Sequence, residues 1–189
     1  MKRILKYIRK TRQLGIILRP GEGNKINVYV DASFGIHADG KSHTGVVIGY
    51  GAGPVFASSK KQGIVTKSST ESELVGVTDA AGAMELMRQT LEQLGENPEI
   101  QVFQDNQSAI KLINNGGSTS LRTRHIKVRY FFLKEYIENG YVKLVYLPTG
   151  DMIADVLTKP KQGADFIKSR NQLLNWSYAA NTLPTEVEH

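Results

Sequence analysis

Three stretches with a two-residue apolar period come before the first long stretch with a helical period, and few architectures accommodate that order. In INVYVDAS, Ile26, Val28 and Val30 alternate with Asn27, Tyr29 and Asp31, as in a strand with one apolar face. Two more strands are expected around Val46–Tyr50 and Pro54–Ser59, joined by a hairpin turn through Gly51 and Gly53. From a start near Thr70, Leu74, Val77, Ala81, Met84, Met87 and Leu91 recur at steps of three or four, which lays them on one face of a helix that Gly95 ends. EIQVFQ then reads as a buried strand and NQSAIKLI as a short helix ending at Asn114-Asn115-Gly116-Gly117. A helix through Phe132, Leu133 and Tyr136 closes at Gly140, and YVKLVYLP is a fifth strand. Asp151 is placed to cap a helix through Ile153, Val156 and Leu157, and residues 162–174 read as helical. The order β-β-β-α-β-α-α-β-α predicts an α/β fold, with an antiparallel meander extended by two parallel, helix-linked strands.

The 189 residues suit one domain with flanking segments. Cysteine is absent, so any metal must be held by oxygen or imidazole. No apolar run is long enough to span a bilayer, and no secretory signal is visible. The net charge of +6 fits either a phosphate-binding surface or an ordinary basic one. Residues 1–22 are basic, with Ile4, Leu5 and Ile8 at helical spacing until Pro20-Gly21 breaks the pattern. On composition alone this segment fits an amphipathic helix, an organelle-targeting peptide or a membrane-surface element. The tail with Trp176 and Pro184 is expected to be loose.

Four acids lie at element ends: Asp31 at the first strand, Glu73 in the first turn of the long helix, Asp105 after the fourth strand and Asp155 after the fifth. Strand ends and adjacent helix starts converge on one edge of an α/β sheet. Carboxylates gathered there repel unless cations sit between them, and Mg²⁺ takes such oxygen ligands while keeping exchangeable waters. Each acid also has a purely structural reading. Thr70-x-x-Glu73 matches a capping box, Asp105 could cap the next helix, and Asp155 could pair with Lys159. Asp31 is harder to explain that way, because Asp is disfavoured in strands.

VYVDAS, KSHTG, TKSSTESELVGV, FQDNQSAI, RTRHIKVRYFFLKE and LPTGDMIADVLTKP resemble, in that order, the ribonuclease H region of copia-type retrotransposon polyproteins. The resemblance runs from about residue 26 to 162, and MKRILKYIRKTRQLGI before it resembles the end of the reverse transcriptase region. It implies a ribonuclease H-like fold: a five-stranded mixed sheet, three strands antiparallel and two parallel, flanked by helices. The implied divisions are a basic segment over 1–22, the nuclease over 23–162, and a C-terminal helix with a loose tail over 163–189.

The implied activity is endonucleolytic cleavage of the RNA strand of RNA–DNA hybrids, with two Mg²⁺ ions that Mn²⁺ can replace. The acids map to Asp31, Glu73 (rather than Glu71), Asp105 and Asp155 (rather than Asp151). Hybrid contacts are expected from Ser33, Ser69, Thr70, Asn106 and Gln107, which lie next to the acids, and from Arg122 and Arg124 in a basic run that includes Lys127 and Arg129. The capping and turn roles of those polar residues, and a merely solvated basic face, stand beside that reading. The expected partners are the hybrid and the reverse transcriptase domain of the same polyprotein. No membrane is involved, and the setting is intracellular, within retrotransposon particles.

The sequence departs from the cellular ribonucleases H in one respect. They carry a histidine between the last strand and last helix, where this chain has only Pro148-Thr149-Gly150. His37, His43 and His125 lie elsewhere and read as packing or hydrogen-bonding residues. The competing classes are a non-catalytic hybrid-binding domain, an integrase- or transposase-type nuclease and a basic structural module. An integrase or transposase would place a Glu late in the chain, which the ADVLTKP block does not.

Overall fold

The computed structural model describes residues 2–19, 21, 24–114 and 124–175. Its sheet has five strands: β1 (Lys25–Ser33), β2 (His43–Tyr50), β3 (Pro54–Lys61), β4 (Glu99–Gln104) and β5 (Val142–Tyr146), in the spatial order β3-β2-β1-β4-β5. β1, β2 and β3 pair antiparallel, while β4 and β5 add in parallel. The helices are α1 (Lys2–Lys10), α2 (Ser69–Gln93), α3 (Gln107–Asn114), α4 (Arg124–Glu138) and α5 (Gly163–Leu173). The expected mixed sheet and the order of its elements are as the periodicities and the resemblance imply.

Alternation along β1 sorts the core into two layers. Ile26, Val28 and Val30 pack with Leu74, Val77, Ala81 and Met84 of α2, with Ile100 and Val102 of β4, and with Ile126, Tyr130 and Leu133 of α4. On the opposite face, Tyr29 stacks on Phe103, and Val47 packs with Met152 and Ala154. Asp31 has the parity of Tyr29, so it faces this second, thinner layer.

Three local expectations differ from the structure. α2 begins at Ser69 with Ser68 as its cap, whose hydroxyl accepts from the Glu71 amide at 3.2 Å, while the Glu71 carboxylate takes the Lys67 amide at 2.7 Å. The capping acid is therefore Glu71, and Glu73 is free of that task. Asp151 caps nothing. It lies in a short 3₁₀ turn, Thr149–Asp151, and the next element starts at Met152 without a side-chain cap. That element, Ile153–Leu157, is itself 3₁₀ rather than α-helical.

The flanking segments meet each other. Tyr7 of α1 packs edge-on to Phe166 of α5, and the Ile17 amide donates to the Leu174 carbonyl at 3.0 Å. The tail from 176 and the Gly116-Gly117 stop lie outside the described residues. Because Ser68 holds the helix start, Ser68→Ala should cost about 1 kcal/mol of unfolding free energy, as lost caps do. Thr70→Ala should cost less than half as much. Equal losses in a denaturant titration would put the cap elsewhere.

Candidate active site

Asp31 is only 1% exposed and Glu73 only 4%; Asp31 lies near the end of β1 and Glu73 near the start of α2, just past its first turn. Ligand oxygens of Asp31, Glu73 and half-buried Asp105 all fall within 4.8 Å of one another. Asp155, also buried, is tied to Asp31 through Lys159. The Lys159 ammonium bonds to Asp155 Oδ1 and lies 3.5 Å from Asp31 Oδ1, while Lys161 holds Asp155 Oδ2 at 2.8 Å. The structure thus brings three of the four sequence-nominated acids into one cluster and joins the fourth to it by a cation. The Asp155–Lys159 pair, the purely structural alternative for Asp155, is present as well.

The neighbours of each acid explain its position. Glu73 Oε2 accepts from the Gln104 side-chain amide at 3.0 Å. Asp105 accepts from the Thr149 hydroxyl at 2.8 Å, and Asp31 from the Thr158 hydroxyl. Gln62, fully buried, donates to Thr44 Oγ1 at 3.0 Å and to the Ser72 carbonyl at 2.8 Å, which fastens the first turn of α2 to β2. Gly45 lies directly opposite Asp31 on β2. A Cβ there would sit 2.8 Å from the Ala154 carbonyl oxygen, so only glycine lets the Ile153–Leu157 segment reach the sheet beside Asp31. Gln62, Gln104, Gly45, Thr149 and Thr158 escaped the sequence reading. Gly45 closes the KSHTG block just before the expected Val46–Tyr50 strand, and the observed β2 starts earlier, at His43, so the glycine falls inside it.

The crowding of like charges shows in the titration of the site. Burial, followed by the charge of Asp31, pushes Glu73 up to about 8. Burial also raises Asp31, against the Thr158 hydrogen bond and the Lys159 charge. For Asp155, burial pushes upward but is outweighed by the bonds from Lys159 and Lys161, which hold the carboxyl below its usual range.

The sequence-nominated substrate residues are not uniformly presented. Ser33 is buried and its hydroxyl donates to the Thr158 carbonyl at 3.3 Å, so it faces inward. Asn106 accepts from the Ala109 amide at 3.0 Å and caps α3, which removes Asp105 from that role. Ser69 and Gln107 are exposed, and Thr70 is half-buried. Arg129 does not extend the basic run outward: it pairs with Asp79 at 2.5 Å and bonds Thr78 at 2.9 Å. Arg122 lies outside the described residues, and Arg124 opens α4. His37 and His43 bond each other at 3.1 Å, and His43 continues to Ser59 at 2.8 Å.

No protein-family model matches the chain. The retrovirus-related Pol polyprotein from transposon RE1 of Arabidopsis thaliana is 35% identical over 164 residues, which is 85% of this chain and 11% of that protein. The corresponding polyprotein from transposon TNT 1-94 of Nicotiana tabacum is 35% identical over 162 residues, 84% of this chain and 12% of that protein. Among solved structures, LC11-RNase H1, isolated from compost by a metagenomic approach, matches with a TM-score of 0.52 at 20% identity, covering 71% of this chain and 93% of that one. Its crystal structure in complex with an RNA/DNA hybrid matches with a TM-score of 0.51 at 19% identity, covering 70% and 93%. The fold is that of the ribonucleases H. The homologues of the chain are Ty1/copia-type retrovirus-related Pol polyproteins, and it spans about a tenth of their length.

The raised acids fix the sign of a pH effect. A carboxyl whose folded pKa lies above its unfolded value stabilises the fold at low pH, and that stabilisation is lost as pH rises through the folded pKa. In EDTA, the melting temperature should therefore fall between pH 6.5 and pH 8.5, as Glu73 ionises near 8. Saturating Mg²⁺ should remove most of that fall. A flat or rising melting temperature in EDTA would show that Glu73 is not crowded by its neighbours.

Proposed function

We propose that this chain is a ribonuclease H that hydrolyses the RNA strand of RNA–DNA hybrids during reverse transcription of a retrotransposon. The observation that carries the reading is the convergence of Asp31, Glu73 and Asp105 within 4.8 Å on a ribonuclease H-like fold.

The donor set fits a hard divalent cation. It consists of carboxylates only, on three different elements, with no thiolate in the chain, and two of its members are pushed toward protonation by burial and mutual charge. Asp31, Glu73 and Asp105 would hold one Mg²⁺, and Asp31 with Asp155 a second, with Mn²⁺ as a substitute. Bound there, such ions activate water and stabilise the attacking and leaving oxygens of in-line phosphodiester cleavage.

The protein's own groups prepare that chemistry. Thr158 and Lys159 orient Asp31, Thr149 orients Asp105, and Glu73 must give up a proton to become a ligand. The link from β5 presents Thr149 rather than a histidine.

Hybrid recognition is assigned to Ser69, Thr70 and Gln107 beside the acids, with Ser33 and Asn106 acting mainly through the backbone they hold. Hydroxyl and amide groups there suit the 2′-hydroxyls that mark the RNA strand. Arg122 and Arg124 are assigned to phosphates.

Among the described residues no helix is long and apolar enough to cross a membrane. Ile4, Leu5 and Ile8 of α1 are exposed together, which suits packing against the reverse transcriptase domain of the same polyprotein. The setting is intracellular, within retrotransposon particles.

Cleavage of a labelled hybrid should require Mg²⁺ or Mn²⁺ and stop in EDTA, and RNA and DNA duplexes should resist. Asp105→Asn keeps shape but removes charge, so the rate should drop by more than the ~100-fold at which outer-shell losses end, with the melting temperature in EDTA at or above the parent's. Cleavage by Asp105→Asn at the parent rate would remove the metal-site assignment.

A further inference from the structure

We infer that Gln104 is a positioning residue of the acid cluster, whose buried side-chain amide couples Glu73 on α2 to the Asp105–Asn106 turn at the end of β4. The inference rests on the proposed metal-centre reading and adds a residue to it.

Ile100, Val102 and Gln104 form one buried row of β4, facing α2. The first two are apolar. The third is an amide with 0% exposure. Burying an unbonded amide is costly, so a glutamine in that row is tolerated only where its polar end is satisfied. Both ends of the amide are bonded. Nε2 donates to Glu73 Oε2 at 3.0 Å, and Oε1 accepts from the Asn106 backbone N–H at 3.0 Å. The Gln104 carbonyl also accepts from the Leu147 amide at 3.0 Å, which roots the residue at the end of β5.

The chemistry needs both a donor and an acceptor. Donation to Glu73 favours its ionised form and engages one oxygen, which leaves the other for the space shared with Asp31 and Asp105. Acceptance from Asn106 fixes the turn that directs Asp105 to the same space, so one side chain sets the separation of two carboxylates on different elements. Glutamate in its place would face Glu73 with a like charge. Leucine would leave both partners unbonded, and asparagine is one methylene too short. Outer-shell hydrogen bonds of this kind tune cation affinity by orienting the ligands.

The test is calorimetric titration of the full chain with Mn²⁺, together with thermal melts in EDTA and hybrid binding in EDTA. Gln104→Leu should lower Mn²⁺ affinity by about ten- to a hundredfold, the scale of losing an outer-shell partner. Gln104→Glu should lower it less, because an added negative charge partly offsets the lost donor. Hybrid binding in EDTA should fall by a smaller factor than Mn²⁺ affinity in both, because there only the Asn106–Gln107 turn is loosened. In a Glu73→Gln background, the further change Gln104→Leu should alter Mn²⁺ affinity less than it does in the parent, because the two act as one unit. If the leucine variant does not fold, Gln104→Met, of nearly the same length, carries the same expectation. Parent-like Mn²⁺ affinity in a folded Gln104→Leu or Gln104→Met protein, with only the melting temperature moved, would reduce Gln104 to core filling and overturn the inference. The metal-centre reading fails separately, if Asp105→Asn binds Mn²⁺ as tightly as the parent does.

Discussion

Asp31 is a carboxylate almost without solvent, beside a second buried carboxyl and within reach of a third, and the rest of the site is arranged around the cost of that charge. Removing a carboxylate from water is expensive unless it is paired or neutralised. The chain uses both remedies. Glu73 is pushed up to about 8, so in the metal-free protein it is largely neutral at physiological pH. Asp31 and Asp155 share Lys159, with Lys161 as a second counter-charge. A cation entering the cluster would relieve the same repulsion from a different direction.

Backbone placement makes this arrangement possible. The 3₁₀ segment Ile153–Leu157 presses on β2 where Gly45 leaves room, and that contact carries Asp155 and Thr158 to Asp31. A chain of hydrogen bonds braces the same segment from the sheet. Ser59 must donate to the Leu157 carbonyl, so its oxygen accepts from His43 Nε2–H, which leaves His43 Nδ1 to accept from His37. That direction requires His43 to stay neutral, in keeping with the downward shift that burial and then His37 impose on it. The histidines therefore support the site's backing.

Much of the fold was legible because its elements differ in period. The β1 alternation, the apolar face of α2 and the glycines closing α2 and α4 each correspond to an observed element. The ends of elements were less legible, since several residues compete for each cap. TKSSTESE offers two overlapping capping boxes, and the earlier one, Ser68–Glu71, is used. The last acidic segment reads as a helix from its apolar spacing, but five residues between Met152 and Thr158 fold as 3₁₀ against the sheet. The acids stood out because they lie at strand and helix ends in a recognisable order. Gln104, Gln62 and Thr158 did not, because an amide or hydroxyl inside a core row shows its purpose only when its partner, 31, 10 or 127 residues away, is brought beside it. The pairing of Arg129 was hidden for the same reason: Asp79, its partner, is 50 residues distant.

The central claim is that Asp31, Glu73 and Asp105 form one cation site with Asp31 as the shared ligand. Anomalous diffraction from crystals soaked in Mn²⁺ tests it most directly. The account predicts a peak within ligand distance of Asp31, Glu73 and Asp105 together, and, at higher Mn²⁺, a second between Asp31 and Asp155 with Lys159 displaced from Asp31. Crystals with no peak touching Asp31, or with Mn²⁺ bound only at surface carboxylates, would contradict it.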